Sequence, residues 1–122
     1  FNQFVVLDSL HVNGKATLGE NIADLGGVVL GLEAFKKKEQ YKLGKPINGL
    51  TPTQRYFLGY ALGWLGHIRD ERLASQILTD VHAPAKLRVN GPFVHIPEFM
   101  EAFQVKEGMK MHRVDSLQVK IW

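Results

Sequence analysis

The spacing of apolar residues between positions 18 and 41 predicts a long amphipathic helix, which constrains the fold more than any other segment. Its apolar side chains recur every three or four residues, as one helix face requires; they are Ile22, Leu25, Val28, Val29, Leu32 and Phe35. Three glycines interrupt this run, Gly26, Gly27 and Gly31, although glycine lowers helix stability. We therefore expect these glycines to allow another backbone to pack closely against the helix.

Two acids occupy the start of this helix. Glu20 and Asp24 are four residues apart, so their side chains lie on one helix face. One carboxylate could then bind a metal while the other orients a neighbouring ligand. Acids are also common in first helical turns because they interact favourably with the helix dipole. Alone, the pair is compatible with a metal site or with an ordinary helix start.

The rest of the chain predicts further helices, joined by loops into one compact, mainly helical unit. Residues 1–16 have an extended pattern, and residues 42–50 predict a loop. Thr51 followed by Pro52 is a strong helix start, and this second helix fades near Gly66. A third helix is predicted over 71–78, a loop or extended segment over 80–91, a short fourth helix from Pro97, and an irregular C-terminal segment.

Composition excludes several classes of protein. With 122 residues, 45% of them hydrophobic, the chain has the size and composition of one globular domain rather than of a disordered protein. The net charge is only +3, and no basic-aromatic repeat accompanies it, so we expect no nucleic-acid partner. The chain has no cysteine, which rules out disulfides and thiolate metal sites. No apolar run approaches the length needed to span a bilayer.

A second candidate site lies in the segment Asp80-Val81-His82-Ala83-Pro84. In an extended segment, side chains two residues apart point to the same side, so Asp80 can bind one nitrogen of His82 and fix the presentation of the other. Such a histidine can stabilise negative charge on a tetrahedral intermediate. Arg88, six residues later, can bind a carbonyl or carboxylate through two N–H donors of its guanidinium. A solvated surface histidine beside an acid would have the same spacing.

Taken in order, these motifs resemble the neprilysin family of zinc metallopeptidases. The string from Leu18 to Gly27 is similar to the family segment that carries the third zinc ligand, and residues 80–84 match its Asp-x-His-[Ser/Ala]-Pro motif. The similarity continues through Leu87-Arg88-Val89, Pro97-Glu98-Phe99-Met100-Glu101-Ala102-Phe103 and the terminal Ile121-Trp122. The resemblance implies that residues 1–122 form the C-terminal helical portion of a thermolysin-like (gluzincin) catalytic domain.

The resemblance also implies a role for each matched residue. Glu20 matches the carboxylate that binds zinc, and Asp24 matches the acid that orients a zinc-bound histidine. His82 matches the residue that stabilises the oxyanion, with Asp80 as its orienting partner. Arg88 matches the arginine that binds the substrate backbone on the leaving-group side.

Two features depart from the family pattern. Trp64 aligns near the primed-side specificity pocket, but its neighbour Gly63 replaces a bulkier residue often found there. The lack of cysteine differs from the disulfide-bonded animal members and indicates a bacterial-type protein, in the periplasm, the cell envelope or the cytoplasm.

Part of the chemistry is missing from this chain. A catalytic zinc of this type takes two histidines, one carboxylate and a water, and the histidines come from a His-Glu-x-x-His motif whose glutamate activates the water. The five histidines here are followed by Val, Ile, Ala, Ile and Arg. We therefore expect the rest of the enzyme to lie upstream of Phe1. The isolated chain should bind zinc weakly, hydrolyse nothing and self-associate through its exposed apolar helix face.

Three interpretations remain open at this point. The leading one is the C-terminal part of a zinc endopeptidase that hydrolyses oligopeptides with a metal-activated water. The alternative is a catalytically dead, peptide-binding homologue, which only the upstream motif could distinguish. The third is a free-standing helical interaction module whose motifs match by accident.

Overall fold

The computed structural model describes residues 1–2, 4–7 and 10–121, so Trp122 lies outside the described residues. Its elements are β1 (Val5–Leu7), β2 (Leu10–His11), α1 (Leu18–Lys36), α2 (Glu39–Lys42), α3 (Pro52–Leu62), α4 (Asp70–Thr79), α5 (Ala85–Phe93), α6 (Pro97–Ala102) and a 3-10 turn at Asp115–Leu117. The strands form an antiparallel pair. The chain is mainly helical, as predicted. Within the described ranges, no helix has the length and apolar character needed to cross a membrane.

Helix α1 packs against α3 and α5 and supplies one side of the main core. Its buried Leu25, Val28 and Leu32 are three of the apolar positions that predicted the helix. They meet Phe57 of α3, which is completely buried, and Phe93 of α5, whose ring centroid lies 5.0 Å from that of Phe57. This packing fixes α1 relative to the two elements that carry the other candidate residues.

Helix α1 ends earlier than predicted. The periodicity suggested a helix to about residue 41, but Lys38 adopts an extended conformation (φ −76°, ψ 144°) and a separate α2 follows. The interruption comes after Phe35, the last residue of the apolar stripe. It brings the ring of Tyr41 edge-on to that of Phe35, with centroids 5.3 Å apart.

The start of α3 follows the predicted signal. The Thr51 hydroxyl accepts a hydrogen bond from the Gln54 N–H, while the Gln54 side chain accepts one from the Thr51 N–H. This reciprocal capping box, with Pro52 at the first helical position, satisfies donors that a helix start leaves free. Helix α3 ends at Leu62, so Trp64 lies in the turn that follows it.

The prediction of a loop or extended segment over residues 80–91 was wrong beyond Pro84. Residues 85–93 form α5, and the extended Pro84 (φ −55°, ψ 148°) precedes its first turn. The dipeptide Asn90-Gly91 is by itself a turn signal, but Gly91 is buried inside the helix, where the ring of Phe1 occupies the position of a side chain. The glycine therefore serves close packing rather than chain reversal.

The glycines of α1 have different surroundings. At Gly31 the hydroxyl of Tyr56 lies where a Cβ atom would be, so close packing is present, although against a side chain rather than a backbone. At Gly27, no neighbouring side chain or element of the described residues comes within 4 Å of the position that a Cβ atom would take. The expected close packing at Gly27 is therefore not found among the described residues.

Candidate active site

The predicted site residues come from separate parts of the chain and converge at one end of the α1–α5 interface. Their positions are Glu20 and Asp24 on α1, Trp64 after α3, Asp80 and His82 in the bend between α4 and α5, and Arg88 on α5.

The central contact is a bidentate ion pair between Arg88 and Asp24. Arg88 Nε donates to one carboxylate oxygen of Asp24 and Nη2 donates to the other, each at 2.7 Å. The side chains are only 16% and 9% exposed, respectively. Two parallel charge-assisted bonds fix both distance and orientation. These bonds to Asp24 also raise the pKa of Arg88 above its ordinary value, against the opposing effect of burial, so the guanidinium stays charged.

The Arg88 guanidinium also lies over the indole of Trp64, with its central carbon 4.4 Å from the ring centroid. A cation over the face of an aromatic ring is attracted by the ring's negative face. Arg88 is thus held by the carboxylate of Asp24 on α1 and by the indole of Trp64 in the turn after α3. Its Nη2 atom also lies 3.5 Å from Glu20 Oε2, which links Arg88 to the acid one turn before Asp24.

The contact that the spacing predicted between Asp80 and His82 is present. Asp80 Oδ1 lies 2.7 Å from His82 Nδ1 and accepts the His82 backbone N–H at 2.9 Å. The backbone bond is an Asx-turn, which short acidic side chains form readily. The His82 N–H and then the His82 ring hold the pKa of the Asp80 carboxyl below its usual value. With Nδ1 directed at Asp80, the Nε2 atom faces Glu20 Oε2 at 3.4 Å.

Glu20 lies where these contacts meet and remains 39% exposed. Its contacts to His82 and Arg88 are long, so neither is a strong hydrogen bond, and a carboxylate oxygen is a ligand that zinc accepts. Among the described residues, no group of three or more His, Asp or Glu side chains is arranged to hold a metal ion. Glu20 therefore fits the chemistry of a carboxylate ligand to zinc.

Two further residues, which the sequence motifs did not indicate, contact this cluster. The Tyr60 hydroxyl donates to the backbone carbonyl of Arg88 at 3.3 Å, and Gln76 Nε2 lies 3.5 Å from the backbone carbonyl of His82. Tyr60 precedes Trp64 by four residues, a spacing that places both on one face of the helix predicted to extend to Gly66, although α3 ends at Leu62. The contact of Gln76 had no comparable signal.

Comparison with known proteins decides the family. The sequence model of peptidase family M13 matches residues 1–119. The chain belongs to this family. The resemblance to the neprilysin family is thereby confirmed.

Two curated relatives illustrate how much of such proteins the chain represents. Neprilysin-21 of Caenorhabditis elegans is 40% identical over 97% of the chain, which spans 16% of that protein. An endothelin-converting enzyme homolog of Locusta migratoria is 40% identical over 93% of the chain, again 16% of the relative. The chain thus spans about one sixth of the length of the curated relatives it matches.

Solved structures of family members share the fold. The zinc metalloprotease Zmp1 of Mycobacterium tuberculosis, in its open state, matches the whole chain with a TM-score of 0.88 and 29% identity, over 20% of its own length. PepO of Lactobacillus rhamnosis matches 97% of the chain with a TM-score of 0.79 and 32% identity, over 17% of its length. The predicted fold, the helical part of a metallopeptidase catalytic domain, is confirmed.

Proposed function

We propose that this chain is part of a zinc-dependent endopeptidase that hydrolyses oligopeptides, to which it contributes one zinc ligand and the groups that bind the reacting peptide. One observation carries the proposal: Glu20, Asp24, His82 and Arg88 form a continuous set of contacts between 2.7 and 3.5 Å. These contacts join residues that are far apart in sequence: Asp24 and Arg88 are separated by 64 positions, and Glu20 and Arg88 by 68. A cluster of acids, a histidine and a fixed cation has the composition needed to bind and polarise a peptide carbonyl.

The zinc site would be completed by residues from the rest of the polypeptide. Glu20 would supply the carboxylate ligand, because its side chain is 39% exposed, whereas that of Asp24, the other acid on α1, is 9% exposed and paired with Arg88. A bound zinc ion activates a water molecule and polarises the scissile carbonyl. Asp24 would orient a histidine ligand, since a carboxylate beside a metal-bound imidazole fixes the ring and its tautomer.

His82 would stabilise the negative charge that develops on the carbonyl oxygen. When both ring nitrogens are protonated, Nδ1 donates to Asp80, and Nε2, which has only the long 3.4 Å contact to Glu20, would donate to the substrate oxygen. A preorganised donor of this kind acts on the transition state more than on the substrate.

Arg88 would bind a backbone carbonyl of the substrate on the leaving-group side. A guanidinium has five N–H donors. Asp24 receives two of them and Glu20 a third, at 3.5 Å, so the two Nη1 hydrogens would be available to a substrate carbonyl. The indole of Trp64, partly exposed beside Arg88, would form a wall for the neighbouring substrate side chain.

The open side of α1 would pack against the rest of the polypeptide. Leu18 and Ile22 are 54% and 46% exposed, although they border Glu20 on the same helix. Exposed apolar patches of this kind mark interaction surfaces. We therefore expect the isolated 122-residue chain to self-associate, and a strictly monomeric sedimentation profile at high concentration would contradict this.

The test uses the complete protein encoded by the gene that contains this chain. Glu20→Gln removes the ligand charge, so zinc measured by mass spectrometry should fall to a small fraction of the wild-type content. Cleavage of an internally quenched peptide should fall by more than about a hundredfold in kcat/KM. Glu39→Gln, at an exposed acid on α2, is the control and should change neither.

Three outcomes separate the proposals. A Glu20→Gln protein with normal zinc content and normal activity would refute the role of Glu20. A wild-type protein that binds the peptide without cleaving it would support the catalytically dead alternative. The isolated 122-residue chain should remain inactive with added zinc, and turnover by that chain would refute the proposal that its site is incomplete.

A further inference from the structure

The backbone carbonyl of Arg88 cannot receive its regular helical hydrogen bond. In an α-helix, the carbonyl of residue 88 accepts from the N–H of residue 92. In α5 that position is Pro92, which has no N–H and whose ring crowds the carbonyl four residues earlier. Since a carbonyl removed from water is costly to leave without a partner, this one needs a donor from outside α5.

Tyr60 of α3 supplies that donor. Its hydroxyl bonds the Arg88 carbonyl oxygen at 3.3 Å. Its ring packs against Trp64, with centroids 6.2 Å apart, and against Phe93, with centroids 5.7 Å apart. Burial, followed by the nearby charge of Asp24, raises the pKa of Tyr60, so the hydroxyl keeps its proton at neutral pH. Tyr60 thus contacts both the backbone of Arg88 and the indole under the guanidinium.

We propose that Tyr60 is a positioning residue for substrate binding, because its hydroxyl replaces the backbone donor that Pro92 removes and so fixes the direction of the Arg88 side chain. The inference rests on the proposed function, in which Arg88 binds the substrate backbone. Such an interaction contributes equally to the bound substrate and to the transition state, so its loss raises KM and leaves kcat nearly unchanged.

Tyr60→Phe in the complete protein tests this, because it removes the hydroxyl and keeps the ring. With the internally quenched peptide we expect KM to rise about three- to tenfold, the effect of one hydrogen bond, and kcat to change by less than about twofold. Tyr56→Phe is the matched control. Its hydroxyl, one turn earlier on α3, donates to the Val28 carbonyl of α1 at 2.7 Å, so its loss should lower stability and leave KM unchanged.

A second variant tests the reason for the effect. Pro92→Ala restores an N–H that can bond the Arg88 carbonyl, so Tyr60→Phe in that background should change KM by less than about twofold. A KM rise of the same size in both backgrounds would refute the replacement of the backbone donor. An unchanged KM for Tyr60→Phe alone, or an equal rise for Tyr56→Phe, would refute the positioning role.

A binding measurement keeps this inference separate from the proposed function. If the wild-type protein does not cleave the peptide, the endopeptidase proposal fails. Tyr60 is then tested by the Kd of a fluorescein-labelled peptide of the same sequence, measured by polarisation. We expect the same three- to tenfold weakening for Tyr60→Phe. Equal Kd values for the two proteins, or no binding by either, would refute the inference.

Discussion

Substitution of Gly31 by alanine should destabilise the fold even though alanine favours helices. A Cβ atom at Gly31 meets the hydroxyl oxygen of Tyr56 and lies 3.4 Å from its Cζ. That hydroxyl donates to the Val28 carbonyl on the same helix. The Tyr56 ring cannot easily move away, because it stacks on Phe35 at a centroid distance of 5.9 Å. The added methyl group therefore displaces a bonded, packed side chain at the contact between α1 and α3.

The size of the effect follows from opposing terms. Alanine gains about 1 kcal/mol over glycine in helix propensity. Weakening the hydrogen bond to Val28 costs about 1 kcal/mol, and forcing a methyl group into a packed contact costs about 1 to 3 kcal/mol. We expect Gly31→Ala to lower the free energy of unfolding by about 1 to 3 kcal/mol.

Urea unfolding of the 122-residue chain, followed by circular dichroism, measures this directly. Gly27→Ala is the control on the same helix, where open space leaves only the propensity gain, so it should stabilise by about 0.5 to 1 kcal/mol. In a Tyr56→Phe background the obstructing oxygen is gone and Gly31→Ala should no longer destabilise. Equal stabilisation by both alanines, or the same loss in both backgrounds, would refute the reasoning.

Three further predictions concern the charged groups. Arg88→Lys keeps the charge and loses the bidentate geometry, so KM for the quenched peptide should rise about tenfold or more, and an unchanged KM would argue against substrate binding by Arg88. Lys36 forms ion pairs with Glu33 and with Glu98, the latter at 2.7 Å. Burial acts to raise the pKa of Glu98, but the hydrogen bond and charge of Lys36 outweigh burial and hold that pKa below its ordinary value. A carboxyl whose pKa is lower in the folded protein than in the unfolded chain stabilises the fold at pH values above its unfolded-state pKa, and this stabilisation is lost as the pH falls through the folded-state pKa. In Lys36→Met, the free energy of unfolding measured with urea should therefore decrease less steeply as the pH falls below about 4.5. Carbon-detected NMR titration should find the Asp80 pKa below that of an ordinary aspartate, and His82→Ala should restore it only in part, because the backbone N–H remains.

Local features of the fold could be predicted from the sequence because their determinants lie within a few residues. The capping box at Thr51 involves residues three positions apart, and the contact between Asp80 and His82 spans two. The helix α5 was missed for the opposite reason. Asn90-Gly91 is a turn signal in isolation, but the ring of Phe1 packs against Gly91 from the other end of the chain. A contact between residues ninety positions apart leaves no pattern in the sequence around Gly91.

In the candidate site, too, the sequence motifs indicated individual residues but not the contacts between residues far apart in the chain. Motif order suggested a role for Asp24 and another for Arg88, yet nothing local indicated that they bond each other across 64 positions. The bond matters because a carboxylate has about four lone-pair sites, and Arg88 uses two of them. Asp24 can therefore hold Arg88 and still accept a bond from an incoming histidine. In the proposed enzyme, one carboxylate would then set the orientation of a zinc ligand and of the substrate-binding cation together, so the spacing between metal and peptide would be determined where α1 meets α5.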